Sequence, residues 1–355
     1  MPALILKIDK EDLEESIDTA ANIIKNGGTV VFPTETVYGL GANAYNADAC
    51  LKIFKAKNRP ADNPLIVTVS NFDMVKDVAY IDDDRLKIMK KVWPGPLTLL
   101  LKKKKIIPDI VTSGMDTVCV RFPDNKIALS LIEKSGVPIA APSANLATKP
   151  SIVDSKDATE DLMDRVDAII DAGRVKYGVE STILDATKKP YELLRPGAFS
   201  VEDLKNLFGE IKINEAAEGY KESKIALTPG MKYRHYAPSK ELFLIEDENE
   251  FRKFISSEES KSFTALCSSE NAKYAKCDKI ILGSDIYEIA HNLFYAFRKL
   301  DKDKNKYGVI QSFPENSIGF GVMNRIRKAS YLIVRKNEDA IKTISSYKLG
   351  QIKKD

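Results

Sequence analysis

Hydrophobic and polar positions change period repeatedly along the first part of the chain, and the changes predict strands and helices in alternation. Short apolar runs predict strands at residues 3–8, 29–33, 64–69, 97–102, 117–122, 137–142 and 180–186. Apolar residues at helical spacing predict helices near residues 11–28, 46–60, 82–92, 125–135 and 156–164. Some strands follow each other without a helix, so we predict one sizeable mixed sheet in an α/β fold.

A second alternation begins near residue 240 and predicts a smaller α/β unit of three to four strands. Its strand candidates are residues 241–246, 263–268, 279–283 and 306–313, and its helix candidates lie near residues 249–257, 270–275, 284–300 and 317–329. At 355 residues the chain is also longer than a typical domain with a single hydrophobic core. We therefore expect a first domain at 1–215, a linker at 216–240 and a second domain at 241–345.

Charge composition limits the classes of partner. The chain carries 54 basic and 51 acidic residues, a net charge of +3. This balance argues against binding nucleic acid through bulk electrostatics, for which a strongly basic face is expected, but it allows a local anion site. We interpret the run KKKK at 102–105 as the solvated end of a strand, with a nucleic-acid patch as the alternative.

Cysteine usage and apolar runs bear on the cellular compartment. The 4 Cys residues form no CxxC pair, so we expect neither a zinc site nor disulfides. The N-terminus lacks the basic start and long apolar stretch of a signal peptide. No stretch approaches the roughly 20 apolar residues that a membrane span needs. We therefore expect a cytoplasmic protein without a membrane partner.

The stretch PTETVYGLG (33–41) follows a predicted buried strand and offers Thr34, Glu35 and Thr36 in a row. A polar loop is the simpler interpretation. Ligands in open α/β sheets, however, bind outside the carboxyl ends of strands, where this loop is expected to lie. The segment GLGANA fits the dinucleotide fingerprint poorly, because PTETVY separates it from the strand, and the sequence contains no GxxxxGK[ST] phosphate loop.

Basic residues end the second predicted helix. The stretch KAKNRPADNPLIV (55–67) carries Lys57 and Arg59, followed by Asn63. Cations are favourable at a helix C-terminus, so one interpretation is structural. The other is a phosphate clamp, in which Arg supplies a bidentate fork, Lys a point charge and Asn63 a hydrogen bond.

Further polar residues stand where predicted strands end. Arg121 ends the apolar strand TVCVRF, and a buried Arg needs an anion, either a ligand carboxylate or a structural Asp. Ser143 and Asn145 follow the next strand, as parts of a turn or as donors aimed at a phosphate. The stretches EST and LLRPG repeat the theme, the latter with Arg195. Five such stretches at loop ends of one sheet indicate a binding site.

Taken together, these stretches resemble the two-domain form of the threonylcarbamoyl-AMP synthase family. The resemblance runs nearly from end to end. It is carried by FPTETVYGLG, the K-x-R of Lys57 and Arg59, the S-x-N of Ser143 and Asn145, GVESTI, LLRPG, PGMKYRHYAP and GFGVMNRIRKAS. It implies a YrdC-like catalytic domain, with a twisted mixed sheet and helices, followed by a smaller Rossmann-like α/β domain.

The family condenses L-threonine, bicarbonate or CO2 and ATP to L-threonylcarbamoyladenylate and pyrophosphate. A partner enzyme, a threonylcarbamoyl transferase, then moves the group onto the adenosine beside the anticodon of tRNA. The resemblance therefore implies a nucleotidyltransferase that uses ATP together with Mg²⁺ and works by positioning and charge neutralisation. A weak contact with RNA is compatible with this function.

Carried over by motif, the resemblance assigns two groups of ligand-binding residues. Those expected to face ATP are Lys57, Arg59, Asn63, Ser143, Asn145, Arg195, His235 and Tyr236, with Lys57 and Arg59 as the catalytic pair. Those expected to hold L-threonine are Thr36, Thr68, Arg121 and Ser181, with Arg121 on the carboxylate. Glu180 either joins them or caps a local hydrogen-bond network. No dedicated carboxylate cage for a metal ion is expected.

Thr68 and the linker need separate comment. Relatives often carry His where this chain has Thr68, and a hydroxyl can replace a hydrogen bond but does not titrate near neutral pH. A base at this position is therefore not expected here. The linker PGMKYRHYAP resembles a lid in which Tyr233, His235 and Tyr236 stack on or bond the nucleotide. A packed strap between the domains is the alternative.

Two other functions fit parts of the sequence. An RNA-binding module would use a basic concave surface supplied by KKKK and other Lys residues, but it needs neither the linker nor a threonine-sized loop. Carbamoyl-phosphate-dependent carbamoyl transfer occurs in larger hydrogenase-maturation proteins that contain a similar domain. This chain lacks their zinc-finger-like Cys patterns and their acylphosphatase segment.

Overall fold

The structure, a computed structural model, describes residues 2–8, 13–220, 228 and 236–350. Within these residues an eleven-stranded sheet lies in the first part of the chain and a five-stranded sheet in the second. The predicted α/β class, with one large mixed sheet and a second smaller unit, is confirmed. The predicted linker residues 221–227 and 229–235 lie outside the described residues.

The first sheet has the order β1-β8-β2-β3-β7-β4-β6-β5-β9-β10-β11 and mixes parallel with antiparallel pairs. Its strands are β1 (Leu4–Lys7), β2 (Val30–Phe32), β3 (Gly39–Asn43), β4 (Ile66–Thr68), β5 (Leu97–Lys102), β6 (Thr117–Arg121), β7 (Ile139–Ala140), β8 (Ala168–Asp171), β9 (Thr182–Asp185), β10 (Tyr191–Arg195) and β11 (Ile211–Ile213). Its helices are α1 (Leu13–Lys25), α2 (Ala47–Lys57), α3 (Phe72–Val78), α4 (Asp83–Val92), α5 (Asp109–Thr112), α6 (Lys126–Ser135), α7 (Ser155–Leu162) and α8 (Val201–Phe208).

Strand β3 occupies a stretch that we interpreted as loop. Its glycines allow close packing rather than a turn. A Cβ atom on Gly41 would lie 2.6 Å from Cγ2 of Ile139 and 2.7 Å from Cε1 of Phe32. Only a residue without a side chain fits between these neighbours, so GLG serves the sheet and is not a dinucleotide loop.

The second sheet is parallel throughout its described pairs, in the order β14-β13-β15-β12-β16. Its strands are β12 (Glu241–Ile245), β13 (Phe263–Ser268), β14 (Asp278–Gly283), β15 (Tyr307–Gln311) and β16 (Leu332–Val334). Its helices are α9 (Glu248–Ile255), α10 (Ile286–Asp301), α11 (Gly319–Ala329) and α12 (Ala340–Lys348), and short 3-10 helices span Glu259–Ser262 and Asn271–Tyr274. The expected three to four strands were too few, because β16 has only three residues, two of which are half-buried.

Helices α10 and α11 hold the second sheet against the first. A guanidinium nitrogen of Arg298 on α10 donates to the Asp161 carboxylate on α7 at 2.8 Å, and both side chains are buried. The backbones also approach closely, since a Cβ atom on Gly178 would lie 2.5 Å from the carbonyl oxygen of Ala290. One hydrophobic core includes Leu99 of β5 and Leu244 of β12. The two sheets are therefore packed together.

The KKKK run lies at the end of β5 and in the turn after it, as the structural interpretation of these lysines predicts. Nζ of Lys103 lies 2.5 Å from Oδ1 of Asp109, and Nζ of Lys104 lies 5.7 Å from the ring centroid of Tyr80. Both lysines therefore interact with neighbouring side chains.

Among the helices that the structure describes, none is long and apolar enough to cross a membrane.

Candidate active site

A cavity of about 240 Å³ lies on one face of the first sheet. Ile66 and Thr68 both line it, and alternate residues of a strand point to the same face. The cavity brings together most of the predicted site. The predicted residues that line it are Lys57, Arg59, Asn63, Thr68, Arg121, Ser143, Asn145, Ser181, Arg195 and Tyr236.

The polar loops reach this cavity from both ends of the strands. Strands β4 and β6 are parallel and end at Thr68 and Arg121, whereas β7 runs antiparallel to β4 and leads to Ser143. The prediction that the site lies at the carboxyl ends of parallel strands therefore describes only part of it. Residues from both ends of the strands meet over the face of the sheet.

Lys57 is delivered by the C-terminus of α2. Asn58 ends that helix in the left-handed conformation, with φ 52°. The Lys57 side chain is 1% exposed, and its Nζ donates to the carbonyl oxygens of Ser143 and Asn145. An ammonium group has three donors, so one remains for a ligand. Burial, and then the nearby charge of Arg59, lower the pKa of Lys57 well below its ordinary value.

Arg59 and Asn63 form the outer part of the same loop. Nε and Nη2 of Arg59 donate to the carbonyl oxygens of Asn63 and Pro64, which shapes the loop around the guanidinium. Burial lowers the pKa of Arg59 to about 10. The buried Oδ1 of Asn63 has no hydrogen-bond partner among the described residues. A phosphate would need a donor at this position. Rotating the Asn63 side-chain amide by 180° exchanges Oδ1 for Nδ2 and supplies one.

Ser143 and Asn145 belong to a connected polar network. Oγ of Ser143 donates to Oδ1 of Asn145 at 2.7 Å, and the Asn145 amide nitrogen donates to the carbonyl oxygens of Leu146 and Lys149. Oγ of Ser151 approaches the same Oδ1 and also donates to Oε1 of Glu180. These bonds fix both side chains at the cavity wall.

Arg195 ends β10 and is 4% exposed. Its Nε and Nη2 donate to the carbonyl oxygen of Ser181, and Nη2 also lies 3.2 Å from the Ser181 hydroxyl. That hydroxyl bonds Thr98 at 2.8 Å. Burial is the main cause that lowers the pKa of Arg195. Tyr236 is buried beside this group, and burial raises the pKa of its phenol.

Arg121 has a structural partner. Its Nη2 lies 2.8 Å from Oε1 of Glu35, and both side chains are buried. Neither Glu35 oxygen has a well-aligned hydrogen-bond donor among the described residues. We had weighed a ligand carboxylate against a structural Asp. The structure supplies a Glu from the PTET loop, and Arg121 still lines the cavity.

The two threonines of PTET differ in position. Thr34 lines the cavity, whereas Thr36 is fully buried and its Oγ1 lies 2.9 Å from Oγ1 of Thr34. The structure therefore places Thr34 at the wall and Thr36 behind it, and the expected contact of Thr36 with L-threonine stays a prediction. The shared motif identifies the loop, but it does not show which of the two threonines lines the cavity.

His235 lies outside the described residues, as do Lys232, Tyr233 and Arg234, so its expected role stays a prediction. Tyr236 is described and does two things. Its ring lies 5.5 Å from that of Phe294 on α10, and it lines the cavity. The end of the linker is thus packed between the domains, as the strap interpretation requires, and also faces the site, as the lid interpretation requires.

The cavity is strongly cationic. Four basic side chains line it, and among the described lining residues only Glu180 carries a carboxylate. Oε2 of Glu180 accepts a hydrogen bond from Nε of Arg325 on α11 at 2.7 Å. Sequence reasoning did not assign Arg325 to the site, although the stretch GFGVMNRIRKAS was singled out. Desolvated cations with lowered pKa values favour an anionic ligand.

The sequence matches two family descriptions in succession. Residues 22–197 match the Sua5/YciO/YrdC family, described as "Telomere recombination". Residues 199–330 match "Threonylcarbamoyl-AMP synthase, C-terminal domain". The two matches together cover most of the chain.

Individual relatives match over nearly their whole length. The threonylcarbamoyl-AMP synthase of Pyrococcus abyssi is 42% identical over 94% of this chain and 99% of its own. That of Bacillus subtilis is 38% identical over 89% of this chain and 93% of its own. The crystal structure of P. abyssi Sua5 complexed with L-threonine superposes with a TM-score of 0.88, covering 93% of this chain and 99% of that one.

Proposed function

Because the chain belongs to the threonylcarbamoyl-AMP synthase family, in its two-domain form, we propose that it condenses L-threonine, bicarbonate or CO2 and ATP to L-threonylcarbamoyladenylate and pyrophosphate. The threonine amine captures the one-carbon unit as a carbamate. A carbamate oxygen then attacks the α-phosphorus of ATP, and pyrophosphate leaves. A separate transferase passes the threonylcarbamoyl group to the adenosine beside the anticodon of tRNA, in the cytoplasm.

The observation that supports this proposal best is the convergence of Lys57, Arg59, Arg121 and Arg195 on one cavity. Burial is the largest cause that lowers the pKa of three of them, Lys57, Arg59 and Arg195. A bound triphosphate would place negative charge beside these cations. Adenylyl transfer needs cations placed around the phosphates rather than a nucleophilic side chain.

The residues divide into two proposed roles. Lys57, Arg59 and Arg195 neutralise the phosphates, with Ser143 and Asn145 as hydrogen-bond partners. Arg121 binds the threonine carboxylate with the part of its guanidinium that Glu35 leaves open. Ser181 and Thr34, which also line the cavity, bond the rest of the amino acid.

We propose that Mg²⁺ enters together with ATP. The carboxylate of Glu180 at the cavity wall is already held by Arg325 and Ser151. Phosphate oxygens and water would therefore supply the ligands that Mg²⁺ prefers. The protein residues around them fix the orientation of the nucleotide.

The proposed function is tested by pyrophosphate release from the purified protein with Mg-ATP and bicarbonate, with and without L-threonine. Threonine-dependent release, together with a product of the mass of threonylcarbamoyladenylate, is the expected result. Release that does not depend on threonine, or none from a folded protein that binds ATP, contradicts the proposal. Salt-dependent binding of tRNA without turnover would instead favour an RNA-binding module.

Thr68 is expected to matter little for catalysis. Its Oγ1 donates to the carbonyl oxygen of Ile139 at 2.7 Å, so only lone pairs face a ligand. Thr68→Val should lower the free energy of unfolding by about 1 kcal/mol, through loss of that hydrogen bond. The KM for L-threonine should change less than about tenfold, because the loss of one hydrogen bond to a neutral group changes binding by no more than that. Thr68→Ser, the matched control, should behave as the wild type in steady-state kinetics, and a hundredfold rise in Thr68→Val would contradict this assignment.

Nucleotide binding should take up protons through Lys57. Its pKa is lowered in the free protein, and phosphate beside Nζ raises it, so a proton is bound between the two values. ATP affinity should therefore fall as pH rises through this window. Arg59 contributes little near neutral pH, since its pKa is about 10. Titration calorimetry in two buffers of different ionisation enthalpy measures the uptake, which Lys57→Met should abolish and Lys55→Met should keep.

A further inference from the structure

Helix α11 of the second domain reaches the wall of the cavity through Arg325. The side chain is fully buried, and its Nε donates to Oε2 of Glu180 at 2.7 Å. Glu180 lines the cavity, whereas Arg325 does not. Arg325 is therefore separated from the cavity by one residue, Glu180.

Arg325 also holds the end of the linker and the loop after β10. Its guanidinium carbon lies 5.1 Å from the ring centroid of Tyr236, which lines the cavity. Nη1 donates to the carbonyl oxygen of Pro196 and to Oδ1 of Asn324, both at 2.8 Å. One side chain thus contacts three parts of the protein that come together at the nucleotide side of the cavity.

The backbones leave little room for adjustment at this contact. A Cβ atom on Gly321 of α11 would lie 3.0 Å from Cα of Gly197. A Cβ atom on Gly197 would in turn lie 2.2 Å from the carbonyl oxygen of Glu180. The two glycines let α11, the LLRPG loop and the EST strand approach within contact distance. The position of Arg325 relative to Glu180 is therefore set by rigid neighbours.

The charges of Arg325 and Glu180 favour this contact. Burial alone would raise the pKa of Glu180, but Arg325, then Arg195, outweigh it, so the pKa is lowered. An ionised Glu180 accepts from Ser151, which also approaches Asn145. Without Arg325, a buried carboxylate would face the cavity with reduced compensation and would favour its neutral form.

We propose that Arg325 is a positioning residue contributed by the second domain, which fixes Glu180 and Tyr236 so that the nucleotide side of the cavity is complete only when α11 is docked. This inference rests on the proposed function and assigns to the second domain a part in the same reaction. Arg325 touches no substrate. It acts through the two cavity residues that it holds.

The test compares Arg325→Met with Arg298→Met, which breaks another buried ion pair between the domains without reaching the cavity. We expect both variants to lose thermal stability. Only Arg325→Met should lower kcat/KM for ATP, by about tenfold, because its cavity residues shift. Its activity should also depend newly on pH, rising with pH as Glu180 regains its charge. The double variant Glu180→Gln with Arg325→Met should recover stability and lose this pH dependence.

Arg325→Lys keeps the positive charge and can still donate a hydrogen bond to Glu180, so it should keep more activity than Arg325→Met and guards against a variant that fails to fold. Equal kcat/KM values and unchanged pH profiles in Arg325→Met and Arg298→Met would overturn the inference, leaving only a structural contact. A wild type without threonine-dependent pyrophosphate release would refute the proposed function instead. In that case the affinity of Arg325→Met for a non-hydrolysable ATP analogue decides the inference, since an unchanged affinity overturns it.

Discussion

Replacing Lys57 by Met is expected to lower the rate constant for threonine-dependent pyrophosphate release by roughly 10²- to 10³-fold, the effect of removing one preorganised donor from a charged transition state. Lys57 is buried, lines the cavity and donates to two backbone carbonyls, which leaves the third donor of its ammonium group for a ligand. Charge builds up on the pyrophosphate as it leaves. A methionine of similar length fills the space but offers no donor.

Lys55→Met is the matched control for this substitution. Lys55 lies in the same last turn of α2 but is exposed and does not line the cavity. It should keep the wild-type rate, while both variants lose a cation at the same helix end. Quench-flow measurement of pyrophosphate at saturating ATP separates the chemical step from binding. Equal rates in the two variants would remove Lys57 from the catalytic pair.

Replacing Arg121 by Met is expected to have two separable effects. It leaves the carboxylate of Glu35 buried without its cation, which should lower the free energy of unfolding by about 3–5 kcal/mol. It also removes the proposed partner of the threonine carboxylate, so the KM for L-threonine should rise by roughly 10²-fold. Chemical denaturation measures the first effect and steady-state kinetics the second.

The double variant Glu35→Gln with Arg121→Met distinguishes these effects. A neutral amide no longer needs a cation, so most of the lost stability should return. The KM for L-threonine should stay high, because the ligand carboxylate still lacks a partner. If the KM returned to the wild-type value along with the stability, Arg121 would act only through Glu35. The assignment of Arg121 to threonine would then be wrong.

The variants Lys57→Met and Arg121→Met are also expected to affect different substrates. Nζ of Lys57 donates to the carbonyl oxygen of Ser143, whereas Arg121 ends β6 and pairs with Thr68 of β4. If the ATP phosphates bind beside Lys57 and threonine beside Arg121, as proposed, the α-phosphorus lies between them. Measuring the KM for both substrates in both variants therefore maps the orientation of the reactants in the site.

The local pattern of the sequence was enough for the α/β class and for the longer elements. Helices such as α1 and α10 have strong apolar periodicity, and Asp285 caps the N-terminus of α10; both signals act within a few residues. Short strands were missed. Strand β8, for example, has four residues and pairs with both β1 and β2. Its residue Ala168 lies opposite Leu4 of β1 and Val30 of β2. Such pairings join residues far apart in the chain.

The residues of the candidate site were also found mainly through local motifs. Lys57, Arg59, Ser143 and Arg195 each stand beside a helix or strand end, so their chemistry could be recognised from a short stretch. A local motif does not show, however, which of two neighbouring residues faces the cavity. Thr34 rather than Thr36 lines the cavity, although the two hydroxyl oxygens lie only 2.9 Å apart, because the path of the PTET backbone decides which residue meets the cavity.

The sequence by itself determined the alternating elements, the family and the set of polar side chains gathered at the ligand cavity. Only the tertiary structure decided how the buried charges are paired. Arg121 received Glu35, and Glu180 received Arg325, which lies 145 residues further along the chain. A buried charge is stabilised by whichever opposite charge packing brings within about 3 Å, and no local pattern specifies that distance. The dependence of the first domain's cavity on a helix of the second follows from the same packing.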